Sequence, residues 1–297
     1  MARRRWIAAT LAGVAALALT GCGLPGGADG TLTDDWPALA EPVGHVPDGG
    51  VCHKAFMAVV PRDSYFPVDC AEMHQAETVH VGTFSGAQAD LATPPTPGSP
   101  GMRASRAECE DRANSLLGGV WRSGPIAVVV VLPSPPAWSG GARWYRCDVG
   151  ETVGVGSDFI LIRTGSLRGS LTDSSDLRYR CFQPTPVAGT AGEMTPVACA
   201  EKHRAEFVGI WTAPAGSYSG FQNNENTKER ECRRMAAEFA KVPDDGMLRF
   251  RTGVRGYPPT EQEWEDGSRG VQCFLWMNDR DVTRSMKGAG TAGLPVG

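Results

Sequence analysis

The sequence predicts an α+β fold of two tandem small domains, each an antiparallel sheet with one main helix, stapled by disulfides. Three observations predict it. Eight cysteines form one four-cysteine unit written twice. Apolar runs of strand length surround a single helical pattern in each unit. The N-terminus reads as an export signal, which places the cysteines where disulfides form.

The export signal comes first in the chain. Met1-Ala2-Arg3-Arg4-Arg5 precedes an apolar run from Trp6 to Leu19. A basic start and a short apolar core make a secretory signal, whereas a bilayer span needs about 20 apolar residues. The run ends in Leu19-Thr20-Gly21-Cys22, which looks like a bacterial lipobox. Residues 1–21 are therefore expected to be removed, Cys22 to carry lipid, and residues 22–40 to form a flexible tether. The remaining chain has 26 basic against 33 acidic residues, which argues against a nucleic-acid partner. Its longest later apolar run, Ile126 to Leu132, has strand length. The expected location is the extracytoplasmic face of the cell membrane, held there by lipid rather than by a span.

The cysteines define the repeat. Cys52 to Cys70 is 18 residues, and so is Cys181 to Cys199. Cys109 and Cys147 complete the first unit, Cys232 and Cys273 the second. Cys70-Ala-Glu-Met-His74-Gln-Ala-Glu77 matches Cys199-Ala-Glu-Lys-His203-Arg-Ala-Glu206. Trp138 lies nine residues before Cys147, and Trp264 nine before Cys273, each after a Pro-Pro pair. The expected domains are 41–163 and 164–280, with residues 281–297 as a frayed Gly-rich tail.

Within each unit the elements follow the same order. Extended segments carry the first two cysteines, and strands Val79–Phe84 and Phe207–Trp211 follow. A helix carries the third cysteine. Cys109, Ala113 and Leu116 share one face, as do Cys232, Met235, Ala236 and Phe239. Gly118-Gly119 stops the first helix and Pro243 limits the second. Strands at Ile126–Leu132 and Leu248–Thr252 follow, then the Pro-Trp loop, then a strand with the fourth cysteine. Phe159–Ile162 reads as one more strand between the units. Four cysteines permit three pairings per unit. First-to-second and third-to-fourth is favoured because the first pair sits on neighbouring strands and the second ties helix to sheet.

These motifs resemble the septum-formation family of actinobacterial envelope proteins. The Cys-x-x-x-His-x-x-Glu piece and the Trp-to-Cys spacing carry the resemblance, and Thr164-Gly-Ser-Leu-Arg-Gly169 adds to it. The resemblance implies an extracytoplasmic role tied to cell division or envelope biogenesis. It brings no catalytic residues with it. In the first copy His53 follows the first cysteine, whereas the second copy has Phe182.

The candidate binding surface consists of His74, Glu77, Trp138, His203, Glu206 and Trp264. Each His with its Glu is expected to fix the turn after the second cysteine. The competing readings are a partner surface or a metal site, with His45, His53 and His80 near His74. Each Trp is expected to plug its own small core, the alternative being a glycan or peptide platform. Glu261–Asp266 is expected as a solvated acidic loop, and Glu229–Arg234 as an exposed helix face. Serine-hydrolase, zincin and P-loop motifs are missing, and so is Cys-x-x-Cys. The expected function is therefore non-catalytic binding or scaffolding, with no cofactor or metal and an unidentified envelope or division protein as partner. The alternatives are an enzyme or accessory acting on cell-wall glycan or peptide, and a metal-binding lipoprotein.

Overall fold

The computed structural model describes residues 45–60, 65–185 and 194–296. The export signal, Cys22 and the tether lie outside the described residues. Gly44–Gly297 form one compact unit.

The first repeat runs β1 (Cys52–His53), β2 (Val59–Val60), β3 (Pro67–Val68), β4 (Ala76–Thr83), α1 (Pro100–Leu117), β5 (Ile126–Pro133), α2 (Pro135–Ser139) and β6 (Trp144–Glu151). The second runs β7 (Cys181–Pro184), β8 (Met194–Val197), β9 (Ala205–Thr212), α3 (Tyr218–Gln222), α4 (Glu225–Ala240), β10 (Gly253–Tyr257), α5 (Glu261–Glu265), β11 (Gly270–Trp276) and α6 (Gly290–Gly293). The sheets have the orders β2-β5-β6-β4-β1-β3 and β10-β11-β9-β7-β8. Removing β2 makes the two orders identical, so the duplication read in the cysteines is also a duplication of topology. All pairings are antiparallel except β2 on β5. The fold is α+β, as the sequence predicts.

Local chemistry explains the elements. β5 is a β-branched run buried on both faces, which is why it shows no polar alternation. Ile126, Val128, Val130 and Leu132 face α1 with Cys109, Ala113 and Leu117, while Val131 packs behind with Trp144. Ser99 caps α1 by accepting from the Met102 amide, and Pro100 occupies its first turn. Gly118 ends it at φ 71°, a left-handed position where a side chain would also meet Thr172.

Four bridges form, Cys52–Cys70, Cys109–Cys147, Cys181–Cys199 and Cys232–Cys273. This is the favoured pairing in both units. The helix-to-sheet bridges sit at the centre of their cores.

Several segments differ from expectation. Leu248–Thr252 is not a strand, because the Asp245 side chain takes the Met247 amide and turns Leu248–Phe250 into a 3-10 turn; β10 starts at Gly253. Phe159–Ile162 makes one isolated bridge, Ile160 to Thr152, rather than a strand, and Phe159 and Ile162 are exposed. Residues 281–296 are not a frayed tail. Val282 bridges to His203, and Met286 and Leu294 are buried with Ala236, Leu248 and Leu275. The glycines there hid two large apolar residues that complete the second core. Leu167 and Leu171 likewise complete the first core from beyond the expected boundary at 164. Each repeat therefore ends with a closing segment after its last strand.

Because Met286 fills a closed site, Met286→Ala is expected to lower unfolding free energy by about 2–4 kcal/mol in denaturant titration. A loss below about 0.5 kcal/mol, the ordinary range for surface substitutions, would return the segment to the status of a loose tail.

Candidate functional site

The two His-x-x-Glu pairs come out as hooks for the closing segments. Glu77 accepts from Ser166 Oγ (2.7 Å) and the Leu167 amide (2.7 Å). Glu206 accepts from Ser285 Oγ (2.6 Å) and the Met286 amide (2.7 Å). His74 pairs its backbone with Arg163, and His203 with Val282. Each His Nδ1 donates to the carbonyl two residues earlier, Glu72 or Glu201, at 2.8 Å. The signal that reveals this was in the sequence: Thr164-x-Ser166-Leu167-Arg168-Gly169 recurs as Thr283-x-Ser285-Met286-Lys287-Gly288.

All six candidate surface residues, His74, Glu77, Trp138, His203, Glu206 and Trp264, are buried, so they do not form an exposed binding surface. The cause is the same in each case: a polar group has found an internal partner. Trp138 Nε1 donates to the Leu91 carbonyl (2.7 Å), and Trp264 Nε1 to that of Gly216 (2.8 Å). Arg143 and Arg269, each five residues after its Trp, lie over the rings at 4.3 and 4.1 Å. The tryptophans are plugs at the ends of the two cores.

Metal donors do come together at Cys181, His203 and Glu206. However, Cys181 is bonded to Cys199, and the Glu206 carboxylate already accepts from Ser285 and Met286. The first-copy histidines do not converge. His45 and His53 flank Tyr65 (4.7 and 5.4 Å), while His80 Nε2 meets Glu108.

Behind the first sheet lies a buried polar network that sequence reasoning missed. His53 Nε2 is 3.0 Å from Thr78 Oγ1, which donates to Asp148 (2.8 Å). Arg146 grips the other Asp148 oxygen through two nitrogens. Burial, reinforced by the Arg146 charge, pushes the His53 imidazole down to about 4. By the repeat alignment, His53, Thr78 and Asp148 correspond to Phe182, Phe207 and Phe274. Phe182 and Phe207 both pack edge to face with Phe274, at 5.6 and 5.4 Å. One duplicate uses a polar network where the other uses an aromatic cluster.

A deep concavity lies between the repeats. Its floor is a charge cluster. Arg106 on α1 bonds Glu110 (2.8 Å), the Val128 carbonyl (2.8 Å) and Glu263 of α5 (3.1 Å). Arg122 reaches the second Glu263 oxygen (3.1 Å) and Ser268 (2.9 Å), and its guanidinium lies 4.1 Å over Trp121. Burial alone would raise the Glu263 carboxyl, but the Arg122 and Arg106 charges outweigh it and hold the group below the usual range. Nearby, Asp266 accepts from the Gly98 amide and Gln272 donates to the Arg122 carbonyl. Glu261–Asp266 is therefore a short helix capped by Thr260 and Glu263 rather than a loop; Glu261, Gln262 and Glu265 are exposed as expected, while Glu263 turns inward to the guanidiniums of the other repeat.

Above this floor is a cleft of about 1030 Å³. Phe56, Pro95, Trp121, Tyr179, Tyr257 and Val128–Val130 of β5 line it. None of His74, Glu77 and Trp138 reaches it. The volume and apolar walls suit an organic or peptide ligand.

A family model described as septum formation matches residues 49–273, a span covering both repeats from before Cys52 to Cys273. No curated protein and no solved structure matches the chain.

Two stability measurements probe the two charge networks. Glu263→Gln leaves two buried guanidiniums short of a counter-charge and is expected to cost about 3–5 kcal/mol at neutral pH. Because the folded Glu263 pKa is depressed, its contribution is present above the unfolded value and lost as pH falls through the folded one. The gap between wild type and variant should therefore narrow in acid; a constant gap would show that Glu263 acts by packing alone. His53 has the same linkage sign, since its pKa also falls on folding, although here the neutral form is the one favoured. Between its ordinary value of 6.5 and about 4, the unfolded chain takes up a proton that the folded chain does not. Stability should decline across that window, and His53→Gln should flatten the decline; an unchanged slope would count against a neutral buried His53.

Proposed function

The chain belongs to the septum-formation family, and on that premise we propose that it is a non-catalytic binding and scaffolding protein, lipid-anchored on the extracytoplasmic side of the membrane. The observation that carries the binding role is the cleft between two repeats welded by a buried charge cluster. A fixed cleft suits recognition, because little ordering cost is left to meet on binding. The residues whose chemistry invited a catalytic reading are consumed in folding. His74 and His203 hold backbone carbonyls, Glu77 and Glu206 hold the closing segments, and the tryptophans plug cores.

The anchoring rests on the sequence before the folded unit. Three arginines, a short apolar core and Leu19-Thr20-Gly21-Cys22 form a lipoprotein signal. Palmitate or related acyl chains on Cys22 would hold the protein at the membrane, and two chains hold far better than one. The partner is an envelope or division protein met at that surface.

The test is localisation of a fluorescent fusion in dividing cells, beside a Cys22→Ala form. Wild type should be found in the membrane fraction and concentrate at the division site, and the variant should lose both. In-cell crosslinking should capture division or wall-synthesis proteins with wild type alone. A wild-type protein spread evenly, or one indifferent to Cys22, would contradict the reading.

A further inference from the structure

The cleft borders an unfinished sheet edge, and the backbone there specifies what completes it. Thr152 N donates to the Pro125 carbonyl at 2.7 Å, and the β5–β6 register continues from Ile126↔Glu151 to Val131↔Arg146. In an antiparallel ladder hydrogen-bonded pairs alternate with non-bonded ones. Ala127, Val129 and Val131 therefore spend their backbone groups on β6, while Val128 and Val130 point theirs away from it. Arg106 takes the Val128 carbonyl. β2 pairs only with Leu132 and Pro133, and the Ala58 carbonyl takes the Leu132 amide. The Val128 amide and both backbone groups of Val130 are left without a partner among the described residues.

The cavity runs along this edge rather than over one face. Ala127 and Val129 from one face of β5 and Val128 and Val130 from the other all border it. Tyr179, Tyr257, Pro258 and Pro95 line it too. An unpaired strand edge inside an apolar cleft selects for extended backbone, whose amides and carbonyls match the free groups and whose alternate side chains fill the walls.

We propose that the cleft binds an extended, apolar segment of a partner polypeptide, which adds to the first sheet along Val128–Val130 and continues the edge that β2 begins. This deepens the binding reading given above and rests on it. Main-chain pairing would supply affinity, and the apolar walls would choose β-branched or aromatic side chains. Both repeats contribute to its lining, so neither repeat holds the site alone.

The experiment uses the full chain in detergent micelles and a phage-displayed library of random nonapeptides. One enriched sequence is synthesised in three forms: unmodified, and N-methylated at alternate residues in each of the two registers. Pairing predicts that one N-methylated register weakens binding at least tenfold while the other leaves it within twofold. It also predicts at least tenfold slower hydrogen exchange at the Val128 and Val130 amides with unmodified peptide, and loss of binding in Val130→Pro. If that variant does not fold, the N-methyl series on wild type still decides. No enriched sequence, equal tolerance of both registers, or unchanged exchange at both valines would overturn the proposal. Protection of those amides without peptide would overturn the partner assignment. If independent of protein concentration, it would point to a segment of the same chain; if dependent on it, to a second copy. Loss of peptide binding with septal recruitment intact removes this inference alone. Peptide binding by a protein that is never recruited to the septum removes the scaffold reading instead.

Discussion

Two guanidiniums buried at the junction of the repeats must be neutralised, and the carboxylate that joins them comes from the other repeat. Arg106 and Arg122 belong to the first copy and Glu263 to the second. Each buried ion carries a desolvation penalty of several kcal/mol, which good geometry offsets only while the partners stay together. Parting the repeats would leave cations short of their counter-charge against Trp121, so the cluster makes separation expensive. The cleft above it inherits its shape from this constraint. Its walls come from both repeats, and the cluster fixes their spacing.

Inside each repeat a buried carboxylate plays a comparable part at smaller scale. Glu77 on β4 and Glu206 on β9 are buried and need donors, and the closing segments provide a hydroxyl and an amide. That requirement steers the chain back after β6 and after β11, and it delivers Leu167 and Met286 to their cores. Behind the sheets the copies part company. Phe182, Phe207 and Phe274 show that an aromatic cluster satisfies the fold at those positions, while the first copy holds His53, Thr78 and Asp148 in a polar chain. The duplicates share a scaffold and differ in chemistry. A single cleft between unequal halves fits that asymmetry better than two equivalent sites would.

Much of the fold was legible because the cysteines obey exported-protein arithmetic and the repeat doubles every signal. The long helix of each unit, the order of its main elements along the chain and the favoured pairing follow from spacing and periodicity. The closing segments were less legible, since Gly-rich composition at 281–297 masks a six-residue echo of 164–169. The site was read least well. His, Glu and Trp at fixed offsets were obvious in the sequence because the fold requires them, and the fold buries them. Glu263 sat in what reads as an acidic surface loop, and its partners lie more than 140 residues earlier. No local pattern brings Arg106, Arg122 and Glu263 together; only the packing of one repeat on the other does. The open edge of β5 is equally invisible in sequence, because it is a property of backbone register rather than of side chains.

The single-body claim is tested most directly by native-state hydrogen exchange across a denaturant series, following the Val149 amide in β6 and the Phe274 amide in β11. These core strands belong to different repeats and different sheets. If the junction welds the repeats, both amides converge on one opening free energy as denaturant rises, and they meet the global unfolding value together. If one of them opens at a free energy several kcal/mol below the other throughout the series, the repeats are independent domains. The cleft would then be a gap between neighbours rather than a built site.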